Sequence, residues 1–183
     1  MAFPVFFDTC TLFGQLLCDV LLSMAERGCF SPYWSKGVLD AMERNVVEQG
    51  RAAPEAVRRR RLLMEEHFPE ACVEGYQGLI GSMTNHPGDR HVLAACVVSP
   101  AHTLVTFNLA DFPSESLAPF EVEVVHPDDF LLDQLDLHPI WSRQAIDAML
   151  ARNQRPPKDY GSLAEVLRRA DVPRAAAQIA GWS

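Results

Sequence analysis

Short continuous apolar runs alternate along this chain with longer stretches in which apolar residues recur at helical spacing. Residues 3–7 (FPVFF) form an apolar run that is typical of a parallel strand buried on both faces. The following stretch, TLFGQLLCDVLLSMAERG, carries an apolar residue at every fourth position and predicts one helix that ends at Gly28. Two further helices are predicted over SKGVLDAMERNVVEQG, with Ser35 as N-cap, and over PEAVRRRRLLMEEHF.

The middle of the chain repeats this alternation. ACVEGY is a short candidate strand, DRHVLAACVV predicts a helix with Asp89 in its first turn, and HTLVTFN and FEVEVVHP predict two more strands. Strands that alternate with helices indicate an α/β fold with a mainly parallel central sheet and right-handed crossovers.

From Pro127 onward the pattern is entirely helical. The predicted helices are PDDFLLDQL, SRQAIDAMLARN, SLAEVLRRA and PRAAAQIAG, with RPPKDYG as a loop. We therefore predict an α/β domain over residues 1–135 and a helical C-terminal extension over residues 136–183.

Polar side chains stand where the predicted strands end. Asp8 follows the first strand, Asn108 and Asp111 follow LVTF, and Asp89 begins the helix that leads into that strand. Ligands bind at the carboxyl ends of strands in open α/β sheets, and carboxylates that converge there need a positive partner. An oxygen-only ligand set favours Mg²⁺ or Mn²⁺. The alternative for each aspartate alone is a turn or cap residue.

Composition narrows the class of protein. A chain of 183 residues with 48% hydrophobic content is expected to form one domain, and its net charge of −8 argues against nonspecific coating of nucleic acid. Five cysteines without a CxxC pair favour a reducing compartment. The apolar N-terminus lacks a basic n-region, and no apolar run reaches membrane-spanning length, so we expect a soluble cytoplasmic protein with no membrane partner.

Other chemistries lack their motifs. There is no GxSxG elbow, no GxxxxGK[ST] loop and no GxGxxG loop. His86 and His91 flank Asp89 without a closed Cys/His set, so they are interpreted as loop and helix-surface residues. A metal-dependent phosphatase would also use clustered aspartates, but Asp8 is followed two residues later by Cys10 rather than by the second acid of a DxD pair.

The ordered set FFDTC, PGDRHVLAACV, LVTFNLADFP and VVHPDDFL resembles the PIN-domain family of metal-dependent ribonucleases, which includes the VapC-type toxins of toxin–antitoxin pairs. The resemblance spans roughly residues 3–135. It implies a three-layer α/β/α sandwich and an acidic pocket in which Asp8, Asp89 and Asp111 hold Mg²⁺ or Mn²⁺. It also implies that Asn108 and Thr106 line the pocket, and that RNA is hydrolysed to 3′-hydroxyl and 5′-phosphate ends.

One position departs from the family's pattern. The further acid that such proteins supply from the helix SKGVLDAMERN falls here on Ala41. Asp40 and Glu43 are the nearby acids. Asp40 points away from the apolar face and is predicted to pair with Arg44, whereas Glu43 lies at the margin of that face and is our candidate for the replacement acid. The alternative is that Glu43 is a solvated helix residue.

The basic residues offer a second link to RNA. Residues 58–61 form an arginine block that is interpreted as a solvated face balanced by glutamates, with RNA contact as the alternative, and Arg90 is a candidate substrate contact beside Asp89.

Two function classes remain. One is an endoribonuclease that is the toxin, or a toxin relative, of a toxin–antitoxin pair and is restrained by a cognate antitoxin protein. The other is a catalytically weakened PIN-fold binding module with an acidic pocket. The helical extension could serve homodimerisation, antitoxin docking or RNA selection.

Overall fold

The computed structural model describes residues 2–182 and contains a five-stranded sheet. The strands are β1 (Phe3–Phe7), β2 (Phe30–Ser35), β3 (Cys72–Val73), β4 (Thr103–Val105) and β5 (Glu123–Val125), in the spatial order β3-β2-β1-β4-β5. β1 pairs with β4, β4 with β5 and β2 with β3, each in parallel. The predicted PIN-like α/β sandwich with a mainly parallel sheet and a helical C-terminal part is confirmed.

Ten α-helices connect and follow these strands among the described residues. They are α1 (Thr9–Phe13), α2 (Gln15–Glu26), α3 (Lys36–Glu48), α4 (Pro54–His67), α5 (Arg90–Val98), α6 (Ser114–Leu117), α7 (Pro127–Leu137), α8 (Pro139–Arg152), α9 (Tyr160–Arg169) and α10 (Pro173–Ala180). Short 3₁₀ turns lie at Gln77–Ser82, Pro87–Asp89, Leu109–Asp111 and Ala118–Phe120. No helix among residues 2–182 combines the length and the apolar character needed to cross a bilayer.

The chain divides into two compact units. The sheet unit contains residues 3–13 and 31–125, and the helical unit contains residue 2, residues 14–30 and residues 126–182. The predicted boundary after residue 135 therefore lies inside α7, and the helical unit also takes in α2 from near the N-terminus.

The core of the sheet unit follows the apolar pattern of the sequence. Phe6 and Phe7 of β1 and Leu104 of β4 are fully buried. α3 begins as predicted, because the Ser35 side chain accepts a hydrogen bond from the Val38 backbone N–H. α3 buries Val38, Leu39, Met42 and Val46, as its periodicity predicted.

Two local predictions were wrong. The stretch after Asp8 was predicted as one helix, but it forms α1 and α2, because Gly14 adopts an extended conformation between them. β2 was not predicted, because Ser31 and Pro32 indicated a turn. Pro32 precedes Trp34 and Ser35, the two residues that pair with β3, so its missing N–H takes no part in that pairing.

In the helical unit, α9 packs on α10, α10 on α7 and α2 on α8. α10 has no side-chain cap of its own. Its first N–H groups are instead satisfied by the buried Asp128 carboxylate of α7, which accepts from Arg174 N at 3.1 Å and from Ala175 N at 3.0 Å. Because a carboxylate at a helix N-terminus also interacts favourably with the helix dipole, Asp128 fastens α10 to α7.

Candidate active site

The carboxyl ends of β1 and β4 meet at one edge of the sheet. Asp8 directly follows β1, and its backbone N–H donates to the carbonyl of Val105 at the end of β4, at 3.1 Å. Thr106 continues from β4 and donates its N–H to Val125 of β5. The parallel pairing of these strands thus places Asp8 and Thr106 side by side.

Asp8 is held by three donors and is 2% exposed. Its Oδ1 accepts from the backbone of Thr9, and its Oδ2 accepts from Thr106 Oγ1 at 2.7 Å and from Cys10 Sγ at 3.2 Å. Thr106 Oγ1 in turn accepts from Asn108 N at 3.0 Å. Thr106 is fully buried and is not among the residues that line the cavity, so its predicted place in the pocket lining and as a substrate contact lacks support; its hydroxyl instead contacts Asp8 and the following loop.

A second group of ligand atoms comes from the loops that precede α5 and follow β4. One ligand atom from each of His86, Asp89 and Asp111 lies within 4.8 Å of the others. Backbone hydrogen bonds fix this arrangement, because His86 N donates to the Asp111 carbonyl at 3.0 Å and Asp89 N donates to the His86 carbonyl at 2.9 Å. His86 was interpreted from the sequence as a loop residue, and the HPGD turn that brings it back toward Asp89 was the available signal.

The negative charge of Asp8 also acts on this group. Burial first, and then the negative charges of Asp8 and Asp111, raise the pKa of Asp89 above its ordinary value, while His86 and His91 lower it. The Asp89 carboxylate therefore lies close enough to Asp8 and to Asp111 for each of them to repel its negative charge. This donor set, in which carboxylate oxygens dominate and one imidazole nitrogen is available, fits a divalent cation such as Mg²⁺ or Mn²⁺.

The Cys10 thiol lies beside the Asp8 carboxylate but is not an activated nucleophile. Burial above all, and then the Asp8 carboxylate, raise its pKa to about 11. The thiol consequently stays protonated near neutral pH, and the Phe107 backbone N–H donates to its sulfur at 3.3 Å.

A cavity of about 380 Å³ opens over these groups. On one side it presents the carboxylates Asp8 and Asp89 together with Asn108, and on the other a face of α3. The lining residues are Asp8, Thr9, Cys10, Phe13, Ala41, Arg44, Asn45, Gln49, Gly88, Asp89, His91 and Asn108. Asp111 is not among these lining residues, although it is grouped with Asp89 and His86.

The predicted replacement acid does not reach this cavity. Glu43 Oε2 lies 3.4 Å from Arg61 Nη1 of α4, on another face of α3 from Ala41. Asp40 pairs with Lys36 and with Arg61, at 2.6 Å each, so its predicted pairing with Arg44 was wrong. Both of these acids pair with Arg61, which lies on α4, and the periodicity of a single helix cannot predict a contact with another helix.

Tertiary contacts also determine where the arginine side chains lie. Arg90 Nε donates to the Asn85 carbonyl at 3.2 Å, and Arg90 does not line the cavity, so its predicted substrate contact lacks support. In the arginine block, Arg60 donates to the Leu12 and Phe13 carbonyls at the end of α1. Arg58 and Arg59 of the block are exposed, whereas Arg60 and Arg61 are partly buried.

Thr106→Val removes the hydroxyl that orients Asp8 while keeping a similar volume. We expect the affinity of the site for a divalent cation to fall by about 10- to 100-fold, the typical cost of losing a group that orients a metal ligand. Thr106→Ser retains the hydroxyl and should recover most of the affinity. Titration of the purified variants with Mn²⁺ tests this, and an unimpaired Thr106→Val would show that the hydroxyl does not position Asp8.

Comparison with known proteins agrees with this architecture. The family model described as VapC50 C-terminal domain matches residues 127–181, within the helical unit. Over 104 residues, the chain is 45% identical to the Mycobacterium tuberculosis protein named "Putative ribonuclease VapC50", and this match spans 57% of the chain and 61% of that relative's length. No solved structure matches the chain. The family model, the relative and the parallel-sheet fold with its helical C-terminal part support the resemblance of this chain to VapC-like proteins of the PIN-domain family.

Proposed function

We propose that this chain is a metal-dependent endoribonuclease that hydrolyses RNA phosphodiester bonds with Mg²⁺ or Mn²⁺. The observation that carries the proposal is the grouping of Asp89 with Asp111 and His86, next to a cavity that Asp8 and Asp89 both line. The name of the Mycobacterium tuberculosis relative supports the RNA substrate.

The side chains divide into ligands and orienting groups. Asp89 and Asp111, with His86, would hold the cation, and Asp8 would contribute a further carboxylate from β1. When bound, a divalent cation lowers the pKa of a water molecule and neutralises charge on the phosphoryl oxygens. Thr106 holds the Asp8 carboxylate in place, and the Asn108 amide at the cavity wall can hydrogen-bond to the substrate.

We further propose a toxin role in a cytoplasmic toxin–antitoxin pair. The VapC relationship supports a cognate antitoxin protein as the partner. Expression of the chain alone should then arrest growth, and co-expression of the antitoxin encoded beside it should relieve the arrest.

A second candidate function is a binding module with a weakened site. The observation in its favour is the helix wall of the cavity, where Ala41 stands and Glu43 turns away toward Arg61. Such a module would bind a cation or a basic protein segment in the acidic cavity without turnover.

Cleavage of a mixed RNA pool by the purified chain separates the two functions. Parallel reactions contain Mg²⁺, Mn²⁺ or EDTA, and the ends of the products are identified. The nuclease predicts cleavage with either metal, no cleavage in EDTA, and products with 5′-phosphate and 3′-hydroxyl ends. Intact RNA under every condition, from a protein that is folded, would favour the binding module.

A further inference from the structure

The two walls of the cavity differ in charge, because one carries carboxylates and the other a guanidinium and amides. Asp8 and Asp89 supply carboxylates on one side. The α3 wall, which we define as Ala41, Arg44, Asn45 and Gln49, supplies a guanidinium, two amides and no carboxylate. Ala41, Arg44 and Asn45 are three and four residues apart on α3 and share one face, and Gln49, the C-cap residue of α3, continues this strip.

Arg44 is the basic residue of this strip, and its charge is not paired within residues 2–182. It is exposed, and it is the one Lys or Arg residue that lines the cavity in the described part of the chain. Among the acids of α3, Asp40 contacts Lys36 and Arg61, and Glu43 contacts Arg61. Glu48 lies four residues after Arg44 but forms no ion pair with it in the described part of the chain.

Ala41 explains why Arg44 stays available. A glutamate at this position would lie three residues before Arg44 on the same helix face, where opposite charges pair. The alanine leaves the guanidinium with its five N–H donors directed at no carboxylate, inside a cavity whose other wall is suited to a cation. A guanidinium is well matched to phosphate oxygens, which it can contact through two parallel hydrogen bonds.

We propose that the α3 wall is the phosphate-binding surface for the RNA backbone and that Arg44 is its principal anion contact. Asn45 and Gln49 add neutral hydrogen-bond donors along the same strip. The inference rests on the proposed ribonuclease function and assigns the place where the substrate backbone lies relative to Asp8 and Asp89.

The test compares Arg44→Gln with Arg59→Gln as matched control, because Arg59 is an exposed arginine of α4 that does not line the cavity. Binding of a fluorescently labelled single-stranded RNA is measured by anisotropy in EDTA at several salt concentrations. KM and kcat are measured separately with Mn²⁺. Both substitutions keep a good helix former at an exposed position, and unchanged melting curves verify the fold.

We expect Arg44→Gln to weaken RNA binding about 5- to 10-fold at low salt and to reduce the slope of log K against log salt by about 0.7, the value for one lost phosphate contact on a single strand. KM should rise by a similar factor while kcat changes little. Ala41→Glu should also weaken RNA binding, because the new carboxylate pairs with Arg44. Arg59→Gln should leave binding, salt slope and KM unchanged.

Two results would overturn the inference in distinguishable ways. Equal KM values and equal salt slopes for Arg44→Gln and Arg59→Gln, with normal cleavage by the wild-type chain, would remove Arg44 from the substrate site and leave the ribonuclease in place. A wild-type chain that neither binds nor cleaves RNA would contradict both the inference and the proposed function.

Discussion

Asp8→Asn is expected to abolish RNA cleavage. The substitution removes a negative charge that acts on Asp89, and the proposed function assigns this charge to the holding of a cation. A loss of roughly 10³-fold or more in rate, about 4 kcal/mol of transition-state free energy, is the expected scale for losing a metal-binding carboxylate. The measurement is the rate of Mn²⁺-dependent cleavage by the purified variant.

The fold should survive this substitution. Asparagine has nearly the same volume, its carbonyl oxygen can still accept from the Thr9 backbone, and the Thr106 hydroxyl can rotate to accept from the new amide. Asp133→Asn is the control, since Asp133 is an exposed aspartate of α7. Full activity in a correctly folded Asp8→Asn would remove Asp8 from the metal site.

Asp128→Ala is expected to be the most damaging substitution for stability in the helical unit. It leaves the N–H groups of Arg174 and Ala175 without their acceptor at the start of α10, and one of these bonds is fully buried. We expect the free energy of unfolding to fall by about 3 kcal/mol, because unsatisfied buried donors and a lost helix cap both contribute. Urea unfolding followed by circular dichroism measures this change.

The neighbouring aspartate is a matched control for this effect. Asp129 forms an ion pair with the same Arg174, but its side chain is 53% exposed. Asp129→Ala should therefore cost less than about 1 kcal/mol, as exposed ion pairs do. Equal losses for the two alanine variants would show that burial and helix capping do not distinguish Asp128.

The fold was largely predictable because burial imposes a periodic pattern on the sequence. FPVFF became β1, and the four-residue spacing of apolar positions in α3 became its buried face. β2 was not predicted because a proline argues against a strand, whereas in the sheet Pro32 lies outside the short pairing with β3, which the local sequence does not reveal. The break at Gly14 escaped for a similar reason, since an isolated glycine does not by itself end a helix.

The site was predictable where it depends on strand ends and less so where it depends on side-chain partners. Parallel strands bring their carboxyl ends together, so the grouping of Asp8, Asp89 and Asp111 could be expected. The side chains of Glu43 and Asp40 are held by ion pairs with Arg61 of α4, and the side chain of Arg90 donates to a backbone carbonyl of the preceding loop. Contacts between helices or within an irregular loop leave no periodic pattern in the sequence.

The most direct test of the central claim is a single cleavage reaction followed in time. The purified chain is mixed with one end-labelled RNA and Mn²⁺, EDTA is added midway, and an excess of Mn²⁺ is added later. A metal-dependent ribonuclease predicts cleavage that stops on chelation and resumes when Mn²⁺ is restored. Cleavage that continues in EDTA, or RNA that stays intact throughout, would contradict the claim that this acidic cavity is a metal-dependent ribonuclease site.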